Sequence, residues 1–159
     1  MRVEHCSTST DETLALGVAL GAVLEAGDFI VLEGELGAGK TRFAEGIARG
    51  LGIATRIPSP TFSLVHEHVG RVPLVHADFY RLRSAAELFA LGWTDYLARP
   101  AVLVVEWLSN IGAHAALAPS DRIAIDIAIV EQSRRIRIHA NGPVAASRLA
   151  ACSGAMLAK

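Results

Sequence analysis

The hydrophobic pattern of this chain changes between strand-like and helix-like segments. Two short apolar runs, residues 28–33 and 101–107, have the composition of parallel strands that are covered on both faces. Residues 41–51 carry large apolar side chains at every fourth position, which predicts a helix with one buried stripe. Residues 123–129 and 135–139 place isoleucine at every second position, which predicts an antiparallel hairpin attached to the edge of the sheet.

Weaker patterns predict two further elements near the N-terminus. Residues 2–6 are a candidate first strand. The apolar segment 14–24 predicts a helix packed against the sheet, and the polar cluster at residues 7–11 supplies its N-cap, either Ser9 with Glu12 as a capping box or Thr10 with Thr13. Gly27 is placed to end this helix before the next strand.

The middle and the end of the chain complete the predicted fold. Residues 63–68 and 72–78 flank a short turn and predict a second hairpin, and residues 84–91 predict a short amphipathic helix. From about residue 143 the chain is alanine-rich, and we expect a weak terminal helix or a frayed tail. Residues 1–159 are therefore interpreted as one α/β domain, with a mostly parallel central sheet and antiparallel edge hairpins.

The candidate chemistry begins with the glycine-rich segment between the first apolar strand and the helix. Its sequence G-E-L-G-A-G-K-T satisfies the phosphate-loop (P-loop) pattern G-x-x-x-x-G-K-[ST]. In such a loop the glycines allow backbone N–H groups to point at phosphate oxygens, the lysine reaches the β- and γ-phosphates, and the hydroxyl binds Mg²⁺. The expected nucleotide-binding residues are Gly34, Glu35, Leu36, Gly37, Ala38, Gly39, Lys40, Thr41 and Arg42.

The alternative is a glycine-rich turn without a ligand. Since glycine is about 7% of residues in average proteins, a chance match in so short a chain is roughly a one-in-a-hundred event. The strand before the motif and the helix after it are the context that a P-loop requires, because the helix N-terminus favours phosphate. The sequence therefore predicts a nucleotide-binding domain of the P-loop NTPase type.

Two acidic residues end apolar strands and are candidates for catalysis. Glu106 closes the strand at 101–107, where P-loop enzymes place an acid that holds Mg²⁺ or polarises water; the alternative is a cap or an ion pair. Asp78 closes the strand at 72–78, and its alternatives are a helix cap or an ion pair with a following arginine. Trp107 is placed either to stack on an adenine or to pack in the core.

The segment between the P-loop helix and the first hairpin is a candidate switch. Prolines at 58 and 60 stiffen residues 58–62, and Thr61 places a hydroxyl near the end of this segment. A γ-phosphate or its Mg²⁺ would order such a loop. The alternative is an ordinary connecting loop. Strand periodicity also makes a metal site of three histidines and a carboxylate conceivable, but hairpin histidines more often lie at the surface or form hydrogen bonds. That set is His66, His68, His76 and Asp78.

Composition limits the classes of partner. A formal net charge of −1 at pH 7 and a pI near 6.6 give no general reason to bind DNA, RNA or an anionic membrane; the alternative is local binding through a patch of Arg134, Arg135 and Arg137. Cys6 and Cys152 have no disulfide or zinc spacing, which fits a reduced cytoplasmic setting. The longest apolar N-terminal stretch is too short for a membrane span, which needs about 20 residues.

Taken in order, these motifs resemble the TsaE (YjeE) family of ATPases of bacterial tRNA threonylcarbamoyladenosine synthesis. The P-loop is shared with many NTPases, but the combination of these motifs in this order is specific to the family. The likeness runs over most of the chain. The matching stretches are residues 34–41, 59–62 (S-P-T-F), 76–82 (H-A-D-F-Y-R-L), 91–96 and 105–107 (V-E-W).

The resemblance implies a compact α/β domain that binds ATP or ADP with Mg²⁺ and hydrolyses ATP slowly on its own. It also implies work beside the TsaB and TsaD proteins, which transfer a threonylcarbamoyl group to a tRNA adenosine next to the anticodon. In that scheme the ATPase does not perform the transfer. Its ATP cycle resets the TsaB–TsaD complex between turnovers, and tRNA is reached indirectly through that complex.

The resemblance also implies roles by position. Glu106 would complete the metal site with Thr41, and Trp107 would lie near the nucleotide; Thr61 and Asp78 match the switch and catalytic positions. The remaining matches are Lys40 at the phosphates, and Thr10 and Arg134 in nucleotide-proximal regions. After V-E-W this chain has Leu108 and Ser109, whereas the family usually has a small residue or proline and then an acidic or amide residue.

Two other functions use the same P-loop. A small-molecule kinase would transfer the phosphoryl group to a hydroxyl, although the sequence has no arginine-rich insertion that would close over a substrate. A nucleotide-gated binding module would need only that ATP and ADP favour different partner affinities, and its hydrolysis would be incidental.

Overall fold

A mixed β-sheet organises the part of the chain that a computed structural model describes, residues 1–54 and 57–156. Its strand order is β1-β7-β6-β2-β5-β4-β3. The four inner strands β6, β2, β5 and β4 run parallel, and the flanking pairs β1–β7, β7–β6 and β4–β3 are antiparallel. The strands are β1 Arg2–Ser7, β2 Phe29–Glu33, β3 Val65–His68, β4 Leu74–Asp78, β5 Val102–Glu106, β6 Arg122–Val130 and β7 Ser133–Asn141.

The predicted parallel centre with antiparallel hairpins on either side is confirmed. One detail differs, because the β6–β7 hairpin does not form the border of the sheet. β6 pairs with β2, and β7 is covered on its other side by β1 over residues 2–7. The unpaired backbone of β7 is satisfied in this way by a strand from the opposite end of the chain.

Helices cover the sheet in two layers. On one face α1, α2 and α5 bury a core with the large side chains of the central strands, and on the other α3, α4 and a 3₁₀ segment bury a second core around Trp93. Among the described residues, no helix has the length and apolar character needed to cross a membrane. The helices are α1 Thr10–Gly21, α2 Lys40–Gly50, α3 Ala85–Ala90, α4 Trp93–Leu97 and α5 Pro143–Met156, and the 3₁₀ segment is Leu108–Leu117.

The start of α1 follows one of the two predicted caps, but its end does not lie where it was expected. Ser9 Oγ accepts the Glu12 N–H at 3.1 Å, so the Ser9 cap forms. The helix ends at Gly21, six residues before Gly27, so the expectation that Gly27 ends it is wrong. Gly27 instead has φ 95° in the turn before β2, where the Asp28 carboxylate accepts the Glu25 N–H at 2.7 Å.

The alanine-rich C-terminal segment forms α5. Asp121 accepts the backbone N–H groups of Val144 and Ala145 at 3.0 and 2.8 Å and so holds the first turn. Leu149 and Cys152 are fully buried in the first core. Tertiary packing at these few positions supports a helix whose alanine-rich sequence gives only a weak amphipathic pattern.

Candidate nucleotide site

The P-loop connects β2 to α2 and has the backbone of an anion cradle. Gly34, Gly37 and Gly39 have positive φ values of 145°, 82° and 111°, which side chains rarely adopt. A Cβ on Gly34 would lie 2.2 Å from the Ile127 carbonyl oxygen, so glycine is required there. Gly39 is the N-cap of α2 and provides no side-chain acceptor for the first N–H groups of the helix, which leaves them available to a phosphate.

Lys40 lies at the floor of this cradle. Its side chain is buried, and Nζ donates to the carbonyl oxygens of Gly34 and Glu35 at 2.7 and 2.8 Å. Nζ also lies 4.0 Å from the centre of the Trp107 ring. Burial lowers the pKa of Lys40, although nearby carboxylates, Glu106 foremost, act in the opposite direction. A phosphate group at the loop would replace these contacts to neutral carbonyl groups with contacts between opposite charges.

The two predicted acids stand side by side at the carboxyl ends of neighbouring parallel strands. Asp78 of β4 and Glu106 of β5 are register partners, and both are buried. Thr41 Oγ1, in the first turn of α2, donates to Glu106 Oε1 and Oε2 at 3.2 and 3.3 Å. The structure therefore brings Lys40, Thr41, Asp78 and Glu106 together at one edge of the sheet.

The candidate switch segment touches this acid pair. Thr61 Oγ1 donates to Asp78 Oδ2 at 2.9 Å, and the Ser59 and Thr61 hydroxyls lie 2.7 Å apart. The Tyr80 N–H donates to Asp78 Oδ1 at 2.9 Å, so Asp78 also holds the turn that follows β4. The next described helix, α3, starts only at Ala85 with Ser84 as its N-cap, so the helix-cap alternative for Asp78 is not supported. Any movement of the Thr61 loop would change the hydrogen bonding of the Asp78 carboxylate.

The donor chemistry of the site fits Mg²⁺. A threonine hydroxyl and a carboxylate 3.2 Å apart are oxygen ligands, and Mg²⁺ usually takes one or two such protein ligands with phosphate oxygens and waters. Among the described residues, no group of three or more His, Cys, Asp or Glu side chains is placed to hold a metal ion. The histidine-rich alternative is therefore not supported, and His66 and His76 instead bond to Ser63 and Glu106.

A cleft of about 270 Å³ opens in front of these residues. Two side chains that the sequence did not single out, Ser59 and Tyr80, line it; Tyr80 packs on Trp107 with ring centres 5.0 Å apart. Both belong to motifs already identified, S-P-T-F and H-x-D-x-Y-R. Membership in these motifs is the feature of the sequence that could have identified them as site residues. The cleft is lined by Leu36, Gly37, Gly39, Lys40, Thr41, Arg42, Ser59, Thr61, Asp78, Tyr80, Glu106 and Trp107.

Two residues that match nucleotide-proximal regions of the family lie beyond the cleft lining. Arg134 Nε donates to the Ala38 carbonyl oxygen at 3.0 Å, so this arginine supports the P-loop from β7. Thr10 is exposed at the first position of α1. The next residue, Asp11, pairs with Arg42 at 3.1 Å and joins the starts of α1 and α2.

The two residues after V-E-W make contacts within the chain. Leu108 is buried in the second core. The backbone N–H and the hydroxyl of Ser109 each donate to the Glu33 carboxylate at 2.8 Å, at the end of β2. This departure from the usual family residues therefore supports the strand that leads into the P-loop.

Comparison with known proteins identifies the family. The family model for "Threonylcarbamoyl adenosine biosynthesis protein TsaE" matches residues 7–137. The chain is 37% identical over 129 residues to the tRNA threonylcarbamoyladenosine biosynthesis protein TsaE of Treponema pallidum (strain Nichols), covering 81% of this chain and 93% of that protein. It is 38% identical over 122 residues to the protein of the same name from Bacillus subtilis (strain 168), covering 76% and 74%.

A solved structure agrees with these sequence relatives. The crystal structure of Bacillus subtilis YdiB superposes with a TM-score of 0.83 at 32% sequence identity, covering 98% of this chain and 96% of that one. The likeness therefore includes the sheet, the helical layers and the segments that form the cleft. On this sequence and structural agreement, the chain belongs to the TsaE family of tRNA threonylcarbamoyladenosine biosynthesis.

Proposed function

We propose that this chain binds ATP or ADP together with Mg²⁺ in the cleft and hydrolyses ATP slowly on its own. One observation carries the proposal. The buried Lys40 ammonium and the uncapped start of α2 lie in one cleft with the carboxylates of Asp78 and Glu106, and the Thr41 hydroxyl donates to Glu106. This arrangement offers positive charge and free N–H groups to phosphates, and oxygen ligands to a divalent cation.

Each residue has a distinct role in this proposal. The N–H groups of residues 34–41 and the Lys40 ammonium bind the β- and γ-phosphates, and the Trp107 ring lies beside them. Thr41 Oγ1 and Glu106 would hold Mg²⁺, which when bound neutralises phosphate charge. Asp78 orients the attacking water, and the Thr61 hydroxyl holds Asp78 in place.

We further propose that the ATP cycle acts on a TsaB–TsaD complex in the cytoplasm and that tRNA is reached through that complex. The Thr61–Asp78 hydrogen bond supports this role, because it couples an exposed loop to a catalytic carboxylate. Phe62, next to Thr61, is 87% exposed, so the loop presents a large apolar side chain outward. A nucleotide that changes this loop would change the surface that a partner meets.

The test is phosphate release from Mg·ATP by the purified chain, alone and with the TsaB–TsaD complex. We expect a slow basal rate that rises with the partners and that is lost in Lys40→Ala and Glu106→Ala. A rate indifferent to the partners would contradict the regulatory role. Phosphorylation of an added small hydroxyl acceptor without partners would favour the kinase, and nucleotide-dependent partner binding without any hydrolysis would favour the gated binding module.

A further inference from the structure

A buried histidine on β4 contacts the candidate metal-binding carboxylate of Glu106 on the neighbouring strand β5. His76 lies in the middle of β4, is fully buried, and places Nε2 2.8 Å from Glu106 Oε1. Because a carboxylate oxygen accepts, the imidazole donates from Nε2. The side chain shares a face of the strand with Asp78, two residues later, and reaches diagonally to the neighbouring strand.

This contact gives Glu106 a second anchor. Thr41 Oγ1 reaches the carboxylate from the start of α2, and His76 reaches it from β4. Both donors bond to Oε1, while Oε2 receives only the longer contact of 3.3 Å from Thr41 among the described residues. Thr41 Oγ1 is thus almost equally far from the two carboxylate oxygens, and His76 fixes the orientation of the group through the shortest contact, to Oε1.

The other ring nitrogen of His76 makes the imidazole unfavourable for the stability of the folded protein. Nδ1 is buried and has no hydrogen-bond partner among the described residues. An unpaired polar atom in the interior lowers stability. An apolar side chain would avoid this cost but would leave Glu106 with the Thr41 hydroxyl as its one side-chain donor among the described residues.

From these contacts we infer that His76 is a positioning residue, which holds the Glu106 carboxylate in the orientation that binds a divalent cation beside Thr41. The inference rests on the Mg²⁺ binding proposed above and adds a residue to it. His76 itself touches neither phosphate nor metal in this arrangement. It fixes the carboxylate, as hydrogen-bonded partners of metal ligands commonly do, and loss of such partners costs about 10- to 100-fold in metal affinity.

The experiment measures the Mg²⁺ concentration that half-saturates the ADP-bound protein, by titrating Mg²⁺ and following ADP affinity by calorimetry. We expect His76→Leu to raise this concentration about 10- to 100-fold while ADP affinity without Mg²⁺ stays within about twofold. His76→Gln, which carries a nitrogen donor equally far along the side chain, should recover most of the Mg²⁺ affinity. His139→Leu, the same change on β7, is the control and should match the wild type.

The outcomes separate the inference from the proposed function. If His76→Leu keeps wild-type Mg²⁺ half-saturation, or if His76→Gln is no better than His76→Leu, the positioning role is wrong. If the wild type binds no nucleotide, or if Mg²⁺ has no effect on its ADP affinity, the proposed function fails and this inference fails with it. Should His76→Leu not fold, His76→Asn replaces it, because its shorter amide does not reach Glu106 and should lose the Mg²⁺ affinity that glutamine keeps.

Discussion

The close contact between α1 and α2 leads to the prediction that Gly46→Ala destabilises the protein. A Cβ on Gly46 would lie 2.3 Å from the Leu14 carbonyl oxygen and 2.8 Å from Gly17 Cα. In the reverse direction, a Cβ on Gly17 would lie 2.4 Å from the Phe43 carbonyl oxygen. All these neighbours are backbone atoms, so no rotamer change relieves the clash and the two helices must move apart.

The magnitude follows from two opposing terms. Restoring van der Waals contact requires the helices to separate by about 1 Å, and overpacking of this kind costs about 1–3 kcal/mol. The higher helix propensity of alanine relative to glycine stabilises the folded state by about 1 kcal/mol and offsets part of this cost. The clash is with backbone, which yields less than a side chain, so we expect a net loss of about 1–2 kcal/mol and a fall in Tm of several degrees.

Urea unfolding of Gly46→Ala measures this loss, and Gly154→Ala is the matched control. Gly154 also lies in a helix, α5, but a Cβ there would meet nothing within 4 Å. We therefore expect Gly154→Ala to be neutral or to stabilise the protein by up to about 1 kcal/mol. If Gly46→Ala unfolds at the same urea concentration as Gly154→Ala, or at a higher one, the close packing of α1 on α2 is refuted.

Three further predictions concern the site, an acid-dependent ion pair and a thiol. Thr61→Val removes the donor to Asp78 and should slow phosphate release about tenfold while calorimetric ADP affinity stays within about twofold; an equal loss of both would contradict a role in hydrolysis. Burial raises the pKa of Glu45, but hydrogen bonds from two α2 arginines outweigh this and hold the pKa below its ordinary 4.5. The folded carboxylate therefore stabilises the protein above about pH 4.5, and this stabilisation is lost as the pH falls further. In Glu45→Gln the urea midpoint should depend less on pH at the acid end of the range. An unchanged pH dependence would count against the ion pair. Burial raises the pKa of Cys152 to about 11, so a thiol reagent should modify one cysteine in the native protein and two after unfolding; rapid native modification of both would show that this part of the core opens.

The features that the sequence predicted well are those that depend on local chemistry. The P-loop could be read directly because its glycines, Lys40 and Thr41 are adjacent in the chain and each has a stated backbone or ligand role. Glu106 and Asp78 could be placed because each ends an apolar run, and the carboxyl ends of parallel strands meet at one edge of a sheet. These rules require no knowledge of distant contacts.

The features that the sequence did not predict depend on distant pairing. The bond from His76 to Glu106 joins side chains 30 residues apart and follows from the register of β4 against β5. Periodicity alone indicated only that His76 and Asp78 share a face. The cover of β7 by β1 joins the two ends of the sequence, and an alternating pattern does not specify which strand lies beside it. The misplaced end of α1 has a local cause, since the apolar run continues past Gly21 to Val23 and Leu24, and Leu24 is fully buried although it lies outside the helix.

Every role proposed for this chain requires a nucleotide at the P-loop, so nucleotide affinity is the decisive measurement. The measurement is a calorimetric titration of Mg·ATP into the wild type and into Lys40→Ala, with circular dichroism to confirm that both are folded. We predict saturable binding of one nucleotide per wild-type chain and a loss of at least about 100-fold in Lys40→Ala, since a buried charge-assisted contact to phosphate is removed. Equal affinity in the two proteins, or no binding by the wild type, would contradict this prediction.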